Sequence, residues 1–397
     1  MSTELKPGIH WVGAVEWALR HFHGNEFSIS RGSSYNAYLI KDGNFTVLID
    51  SVKAPHVPDF LRDLEKITPL EKITHFIVNH SEPDHSGAFP SVMAKAPKAK
   101  VICSRGGQKV LLRHHLGNWE LQPVKTGDEV KLQTRTLKFF EAPMLHWPDS
   151  MFTYCPEEKI LFPNDAFGQH YASSHRFADE VDMDELWQEA IKYFANILTP
   201  FSGQIIRKIQ EFSDLKWPVE MICPSHGMIW RKDVTKIIEK YLEWSSGKAE
   251  PGVVVVYDTV WGGTQKMVSG ITRGLESIGV PFKVFNAGTA DFNDVLTEIL
   301  KYRAILIGCP TLNNSLMPTI MPFLESIKGL RFLNKIGAAF GTYGWSGEGC
   351  ARIEEFLKAG NVKIVQPPIK TNYAPTEEEL VKCEQFGREI GTIVKTE

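Results

Sequence analysis

Four potential metal ligands lie close together in one short segment that follows a predicted strand. The segment reads His80-Ser-Glu82-Pro83-Asp84-His85. Alternate side chains of an extended segment project to the same side, so His80 and Glu82 can hold one ion. Pro83 keeps the residue before it out of the helical region, and Asp84 and His85 then face the other way, toward a second ion. The spacing therefore predicts two adjacent metal sites.

The same segment has an alternative interpretation without a metal, as a polar loop in which Asp84 or Ser86 caps a helix. Three later residues favour the metal, because His146, Asp165 and His226 each follow a predicted strand. Active-site side chains often lie on such loops, where a rigid scaffold holds them. All thirteen histidines precede residue 227, which places imidazole chemistry in the first part of the chain. Three further histidines, expected to be structural or to line the same pocket, are His23, His170 and His175.

The last part of the chain holds a different feature, a turn rich in glycine and threonine between a predicted strand and a helix. It runs from Asp258 to Lys266 and offers hydroxyls at Thr259 and Thr264. Backbone N–H groups and the helix dipole bind phosphate at such a position. The turn is neither a Walker loop nor a G-x-G-x-x-G fingerprint. It resembles the [ST]-x-x-G-x-T phosphate loop of flavodoxins, whose relatives usually carry a further Ser, Thr or Asn at the position of Gly263.

Two later loops follow the third and fourth predicted strands of this part of the chain. In a doubly wound parallel sheet, these loops would lie beside the point where the strand order reverses. Their backbone and amide groups can contact the polar edge of a flavin, and aromatic side chains can pack on its ring. The alternative is that these aromatic residues only cover the sheet edge. FMN is favoured over FAD because no insertion offers an adenosine site. The predicted FMN-binding residues are Thr259, Val260, Trp261, Gly262, Gly263, Thr264, Pro310, Thr311, Leu312, Asn313, Asn314, Thr342, Tyr343, Gly344, Trp345, Ser346 and Gly347.

The elements that must position these residues change in character near a polar stretch at residues 245–252. Before it, short strands end in polar residues and are interleaved with helices, for example Val57–Glu65 and Asp184–Leu198, which indicates a layered α/β domain. After it, five predicted strands, from Val253–Tyr257 to Val362–Val365, alternate with five helices. That alternation indicates a doubly wound parallel five-stranded sheet. We therefore predict one domain over residues 1–248 and another over residues 252–397.

The metal-binding residues resemble a known pattern. H-x-[EH]-x-D-H followed by His, Asp and His at successive strand ends is similar to the metallo-β-lactamase fold, whose hydrolases usually carry a second histidine where Glu82 stands. With this glutamate, and with MLHWPDSMFTY, NDAFGQH and PSHG, the chain resembles the flavodiiron proteins over essentially its whole length. The resemblance implies an N-terminal metallo-β-lactamase-like αββα sandwich and a flavodoxin-like domain. It also implies that His80, Glu82 and His146 bind one iron, that Asp84, His85 and His226 bind the other, and that Asp165 bridges them.

This ligand set is consistent with iron, because carboxylate in place of imidazole makes the site harder and more anionic. A bridging carboxylate holds two metals roughly 3.5–4 Å apart, so that one small molecule can meet both. At His85 the alternative to the imidazole is a water molecule. The catalytic residues implied by the resemblance are the seven implied iron ligands themselves.

By the same resemblance, the chain is expected to be an oxidoreductase that reduces O2 to water or NO to N2O. Electrons would pass through FMN from an external donor, such as rubredoxin or a reduced deazaflavin. The chain ends shortly after the flavodoxin-like part, so the donor is expected to be a separate protein or cofactor. A head-to-tail homodimer, or a dimer of dimers, would place the FMN of one chain beside the irons of the other. The alternatives are a zinc-dependent thioesterase or lactonase with a flavodoxin domain, and a non-catalytic electron carrier with a decayed first domain.

The composition excludes several other functions. The chain of 397 residues is 43% hydrophobic and 23% charged, which argues against long disordered segments. A net charge of −3 leaves no basic excess for nucleic acid or an anionic membrane. No apolar run approaches the roughly 18 residues of a membrane span, and the N-terminus lacks a signal-peptide layout. The six cysteines form no C-x-x-C pair and indicate thiols in a reducing compartment. We therefore expect a cytoplasmic protein.

Overall fold

The computed structural model describes residues 2–396 and divides into two compact units. One unit holds the chain up to Tyr193 together with Phe201–Leu242. The other holds Phe194–Pro200 and the chain from Glu243 onward. The helix predicted over Asp184–Leu198 is in fact an α-helix that ends at Tyr193 and continues as a short π-helix.

The first unit is built from many short strands. Its strands are β1 (Thr3–Lys6), β2 (Ile9–Trp11), β3 (Ala14–Glu16), β4 (His21–Phe22), β5 (Phe27–Ser28), β6 (Ser33–Tyr35), β7 (Tyr38–Asp42), β8 (Phe45–Ile49), β9 (His75–Val78), β10 (Lys100–Ser104), β11 (Leu121–Val124), β12 (Glu129–Lys131), β13 (Thr136–Glu141), β14 (Met151–Cys155), β15 (Ile160–Phe162) and β16 (Met221–Ile222). Its α-helices are α1 (Val57–Glu65), α2 (Pro83–Ser86), α3 (Phe89–Lys95), α4 (Arg105–His114), α5 (Met183–Tyr193), α6 (Ser202–Asp214) and α7 (Val234–Ser245), within which the division between the units falls.

Two sheets form the centre of this unit. The first has the order β1-β2-β7-β8-β9-β10-β11 and the second the order β12-β13-β14-β15-β16. Side chains from both sheets share one core, to which Val47 contributes from the first and Met151 from the second. Helices cover the outer faces, since Phe89 of α3 packs on Phe76 of β9, and Phe212 of α6 packs on β13. The predicted αββα sandwich is confirmed.

The second unit alternates strands and helices. Its strands are β17 (Glu250–Tyr257), β18 (Phe282–Asn286), β19 (Tyr302–Gly308), β20 (Ile336–Tyr343), β21 (Lys363–Ile364) and β22 (Ile369–Asn372). Its α-helices are α8 (Gly263–Ser277), α9 (Phe292–Lys301), α10 (Met321–Leu330), α11 (Gly349–Ala359) and α12 (Glu377–Thr396). None of the helices between residues 2 and 396 combines the length and the apolar character needed to cross a lipid bilayer.

The sheet of the second unit has the parallel order β18-β17-β19-β20, which is the doubly wound order of flavodoxins. Its fifth position differs from the prediction of one strand over Val362–Val365. Two short strands occupy it, β21 beside the start of β20 and β22 beside its end. Pro367 and Pro368 lie between them, and proline has no N–H to donate to the ladder. The predicted flavodoxin-like fold is confirmed, with an interrupted edge strand.

Helices α8 and α12 pack at unusually close range because glycines lie at their contact. A Cβ atom at Gly274 would overlap the carbonyl oxygen of Glu384, and one at Gly387 would overlap that of Ile271. Both helices cover the core made by β17, β19 and β20. The absence of side chains at these positions therefore sets the distance between the two helices.

We predict that Gly274→Ala lowers the free energy of unfolding by about 1–3 kcal/mol, because the helices must separate to admit the methyl group. Gly329→Ala in α10 is the matched control, since a Cβ atom added there would have no other atom within 4 Å. It should be neutral or stabilising by up to about 1 kcal/mol. Urea titration followed by circular dichroism measures both, and equal stability of the two variants would contradict the close packing.

Candidate metal centre and flavin site

The predicted metal-binding residues meet where strands of the first unit end. His80 follows β9, Asp165 follows β15 and His226 follows β16, while His146 lies in the connection between β13 and β14. The structure brings all seven candidates together in two groups, each with its potential ligand atoms within 4.8 Å of one another. The first group is His80, Glu82, His146 and Asp165, and the second is Asp84, His85 and His226.

The segment after β9 is extended only as far as Glu82, whose φ of −58° and ψ of 141° agree with the predicted effect of Pro83. From Pro83 onward the segment forms one turn of helix, α2. Neither Asp84 nor Ser86 is the N-cap of this helix, because Glu82 holds that position without a side-chain cap. Glu82 belongs to the first group, and Asp84 belongs to the second with His85. The turn that begins at Pro83 separates them, as the position of this proline led us to expect.

The carboxylate of Asp165 lies between the two groups. Its Oδ2 atom is 3.5 Å from Nε2 of His80 and 3.2 Å from Nε2 of His146. Its Oδ1 atom is 3.0 Å from Nε2 of His85 and 3.6 Å from Nε2 of His226. One oxygen therefore faces each group, which is the geometry that a bridging carboxylate requires.

Several of these buried polar atoms have no hydrogen-bond partner. They are both carboxylate oxygens of Asp84, both ring nitrogens of His85 and Oδ2 of Asp165. The contacts of 3.0 Å and 3.2 Å that Asp165 makes with His85 and His146 do not have the geometry of hydrogen bonds. Burying such groups without a partner is costly, and native structures rarely do so. Nε2 of His85 lies 3.3 Å from Oδ2 of Asp84, and a cation between such atoms would satisfy both. The residues thus fit a pair of metal ions on the evidence of their own unused donor atoms.

Hydrogen bonds orient two of the imidazoles from behind. Nδ1 of His80 lies 3.1 Å from Oδ1 of Asp149, whose Oδ2 accepts a hydrogen bond of 2.7 Å from the Ser81 N–H. Nδ1 of His226 lies 2.7 Å from the carbonyl oxygen of Ser34. Both rings therefore present Nε2 to the cluster. Burial opposes the charge of Asp149, but the bonds from His80 and Ser81 outweigh it and lower the pKa of this carboxyl group.

The sequence reasoning missed Asp149, although it lies in the segment MLHWPDSMFTY. A carboxylate three residues after a predicted histidine ligand was the available signal. It also missed Asp50, which follows β8 with a left-handed φ of 55°. Asp50 accepts a 2.7 Å hydrogen bond from the Asn79 N–H and a 3.2 Å hydrogen bond from the Asn164 side chain. The next residues in the sequence after these asparagines are His80 and Asp165, respectively. Complete burial raises the pKa of Asp50 to about 6.

The three additional histidines have different surroundings. Nε2 of His23 lies 3.1 Å from Oε1 of Glu82. The ring of His170 packs beside that of His226, with centroids 4.9 Å apart. These two therefore line the metal pocket. His175 has a side chain that is 57% exposed, and it lies beside an exposed carboxylate rather than in the cluster.

The predicted flavin loops lie at the carboxyl ends of β17, β19 and β20, over residues 259–264, 310–314 and 342–347. Hydrogen bonds connect the three loops through Thr342. Its hydroxyl oxygen lies 3.2 Å from the hydroxyl oxygen of Thr264. Its carbonyl oxygen accepts a 2.8 Å hydrogen bond from the Thr311 N–H. Oγ1 of Thr259 is buried without a partner, which fits a phosphate ligand. Gly262 has a φ of 79°, and nothing lies within 4 Å of its Cβ position.

Two features of these loops bear on flavin binding. Trp261 and Trp345 are 95% and 81% exposed, although tryptophan is normally well buried. Rings in this position are available to pack on a flat apolar ligand. Gly263 leaves no room for the side chain that related loops carry, because its Cβ would lie 2.8 Å from the carbonyl oxygen of Tyr373. Backbone packing therefore accounts for the departure from the pattern.

Comparisons with known proteins cover both units. A family profile described as "ODP family beta lactamase" matches residues 34–227, and the flavodoxin profile matches residues 255–387. The chain is 46% identical over 388 residues to a nitric oxide reductase of Moorella thermoacetica, with 97% of each chain covered. It is similar to the structure of rubredoxin oxygen:oxidoreductase from Desulfovibrio gigas, with a TM-score of 0.96, 34% identity and 100% and 99% coverage. It is also similar to the flavodiiron protein of Giardia intestinalis, with a TM-score of 0.92, 35% identity and 100% and 97% coverage. The chain belongs to the flavodiiron protein family.

This flavodiiron protein is an oxidoreductase, as the resemblance implied. Its cofactors are FMN, in the flavodoxin-like domain, and a non-haem diiron centre. The alternative of a zinc-dependent hydrolase carrying a flavodoxin domain is not favoured, since the similar proteins that cover the full chain are redox enzymes.

We predict that Asp149→Asn weakens iron binding by about 10–100-fold, because the amide no longer holds the His80 ring by a charged hydrogen bond. Asp59→Asn, on the exposed surface of α1, is the matched control with the same change of charge. Iron titration of the metal-free protein measures both affinities. Equal affinities for the two variants would mean that Asp149 does not position His80.

Proposed function

We propose that this flavodiiron protein reduces O2 to water or NO to N2O at its diiron site, with electrons supplied through FMN. The observation that carries the proposal is the position of Asp165, which offers one oxygen to each group of ligands. The names of the relatives support both gases, since one is a nitric oxide reductase and another a rubredoxin oxygen:oxidoreductase.

We propose that the seven grouped side chains are the iron ligands and the catalytic residues. His80, Glu82 and His146 would hold one iron, and Asp84, His85 and His226 the other, with Asp165 between them. Iron held by these residues would supply one-electron redox steps and a binding position for the gas. The three carboxylates balance most of the charge of two divalent ions, which favours iron that must change its oxidation state.

The surrounding residues would orient the ligands and limit access of water. His23 holds the second oxygen of Glu82. The rings of Phe22 and Tyr35 lie 5.6 Å and 5.7 Å from that of His226 and form an apolar wall beside it. A wall of this kind lowers the local dielectric constant and strengthens the interactions within the site.

In the flavodoxin-like domain we propose that the three loops hold FMN. The buried hydroxyls of Thr259 and Thr264 and the N–H groups at the start of α8 would bind the phosphate. The loops over residues 310–314 and 342–347 would contact the ring, with Trp261 or Trp345 packed on it.

The electron donor, assembly and location are parts of the same proposal. A rubredoxin-like carrier fits the name of the Desulfovibrio gigas protein. Chains would pair head to tail, as a dimer or a dimer of dimers, so that the FMN of one chain serves the irons of its partner. The six cysteines are buried and form no disulfide, which supports a cytoplasmic location.

We predict that Asp165→Ala loses one iron or binds it weakly, because two cations about 4 Å apart repel strongly once the anion between them is removed. FMN binding should be unchanged. Iron and FMN per chain are measured first, and stopped-flow oxidation of the fully reduced protein by O2 and by NO follows. Two tightly bound irons with normal turnover would remove Asp165 from the bridging role, and a wild-type protein oxidised by neither gas would contradict the function.

We predict that two inactive variants restore turnover when they share a dimer. Asp165→Ala disables the diiron site, and Thr264→Asp disables FMN binding by placing a carboxylate where the phosphate would lie. In a head-to-tail dimer the intact FMN of the first chain faces the intact irons of the second. The mixed dimer, isolated with two affinity tags, should therefore turn over gas while each parent dimer does not. An inactive mixed dimer would contradict the head-to-tail arrangement.

A further inference from the structure

The first unit contains an apolar cavity outside the groups of side chains described above. It has a volume of about 380 Å³ and lies between α6, α7 and the outer face of the five-stranded sheet. Phe152 of β14 and Leu161 of β15 form its floor, and Ile209 of α6 and Ile238 of α7 form its sides.

The inner end of this cavity touches the loops that carry two of the proposed ligands. Leu145 immediately precedes His146, and Phe167 follows Asp165 by two residues; both line the cavity. Their side chains are only 3% and 4% exposed. Ile209, by contrast, is partly exposed. The cavity therefore runs from a partly exposed rim to a buried end beside the ligand loops.

The buried end is suited to an uncharged, apolar ligand. The hydroxyl oxygen of Tyr241, a polar atom at this end, accepts a 2.7 Å hydrogen bond from the Phe167 N–H. The other polar side chains of the lining lie in exposed or half-buried positions; they are Lys208, Gln210, Ser213 and Thr235. Enclosed apolar cavities bind small apolar molecules such as xenon, and the buried end of this cavity offers a lining of the same kind.

We propose that this cavity binds the diatomic gas and supplies it to the diiron site. The proposal rests on the proposed function, because O2 and NO are small, uncharged and apolar. Such molecules partition from water into an apolar cavity. A gas molecule at the inner end would lie against Leu145 and Phe167. These two residues lie on the same loops as His146 and Asp165, which belong to the candidate metal centre. Local motion of the Leu145 and Phe167 side chains would then admit the gas to the site.

The test uses the complete protein loaded with iron and FMN, with xenon as the probe of the cavity. Crystals pressurised with xenon should show a xenon atom beside Phe152 and Leu161. Ile209→Trp places an indole in the cavity and should displace it. Arg207→Trp adds the same indole to the same helix at an exposed position outside the lining, and should leave the xenon in place.

Stopped-flow oxidation of the reduced protein then measures gas supply. The second-order rate constants for O2 and NO should fall by about tenfold in Ile209→Trp, since association rates within one system vary over roughly one to three decades. The rate at saturating gas, the iron content and the FMN content should match the wild type. Ile238→Trp fills the cavity from the other helix and should give the same result.

The outcomes separate the two proposals. A wild-type protein without xenon in the cavity, or normal gas rates in both filled variants, would overturn the gas supply while leaving the proposed function intact. A wild-type protein that is oxidised by neither gas would contradict the proposed function, and the gas supply with it. Slower oxidation in both filled variants but not in Arg207→Trp would support the supply.

Discussion

The carboxylate of Asp165 stands between two groups of imidazoles and carboxylates, and the first unit must hold it there against the cost of burial. Glu82 and Asp84 add two further negative charges within the same pocket. Without metal ions, protonated histidines can compensate: burial opposes protonation of His85, but the carboxylates of Asp84 and Asp165 raise its pKa to about 9. Metal ions replace these protons, so iron affinity is linked to pH and falls as the solution becomes acidic. Either protons on the histidines or bound metal ions can therefore balance the negative charge of the three carboxylates.

That assembly depends on strand ends that are tied to one another. Asp50 receives hydrogen bonds from Asn79 and Asn164, and so joins the ends of β8, β9 and β15. The proposed ligands His80 and Asp165 directly follow the two asparagines. A polar network of this kind, fully buried and satisfied, specifies one arrangement of its elements. The second unit uses a different means. Glycines let α8 and α12 approach at backbone distance, and this close contact fixes α8, at whose N-terminus the proposed phosphate loop ends.

The fold class and most of the candidate site residues could be predicted from the sequence, because both are signalled by local patterns. The H-x-E-x-D-H segment, the polar residues after apolar runs and the alternation of strands and helices are visible in the printed chain. The details that failed depend on partners distant in sequence. The edge strand predicted over Val362–Val365 is divided near Pro367 into two pieces, which pair with the start and the end of β20. Asp149 was overlooked because its role appears only when His80, 69 residues earlier, is placed beside it.

The loops of the metal centre are constrained on both sides, and this limits how the site can vary. His146 and Asp165 point to the cluster, while their near neighbours Leu145 and Phe167 line an apolar cavity behind it. Tyr241 of α7 then holds the backbone of Phe167 by a hydrogen bond. A change in the packing of α7 would therefore move the loop that carries Asp165, and a change at Asp165 would disturb the cavity wall. The same few backbone positions therefore determine both the geometry of the proposed ligands and the shape of the apolar cavity behind them.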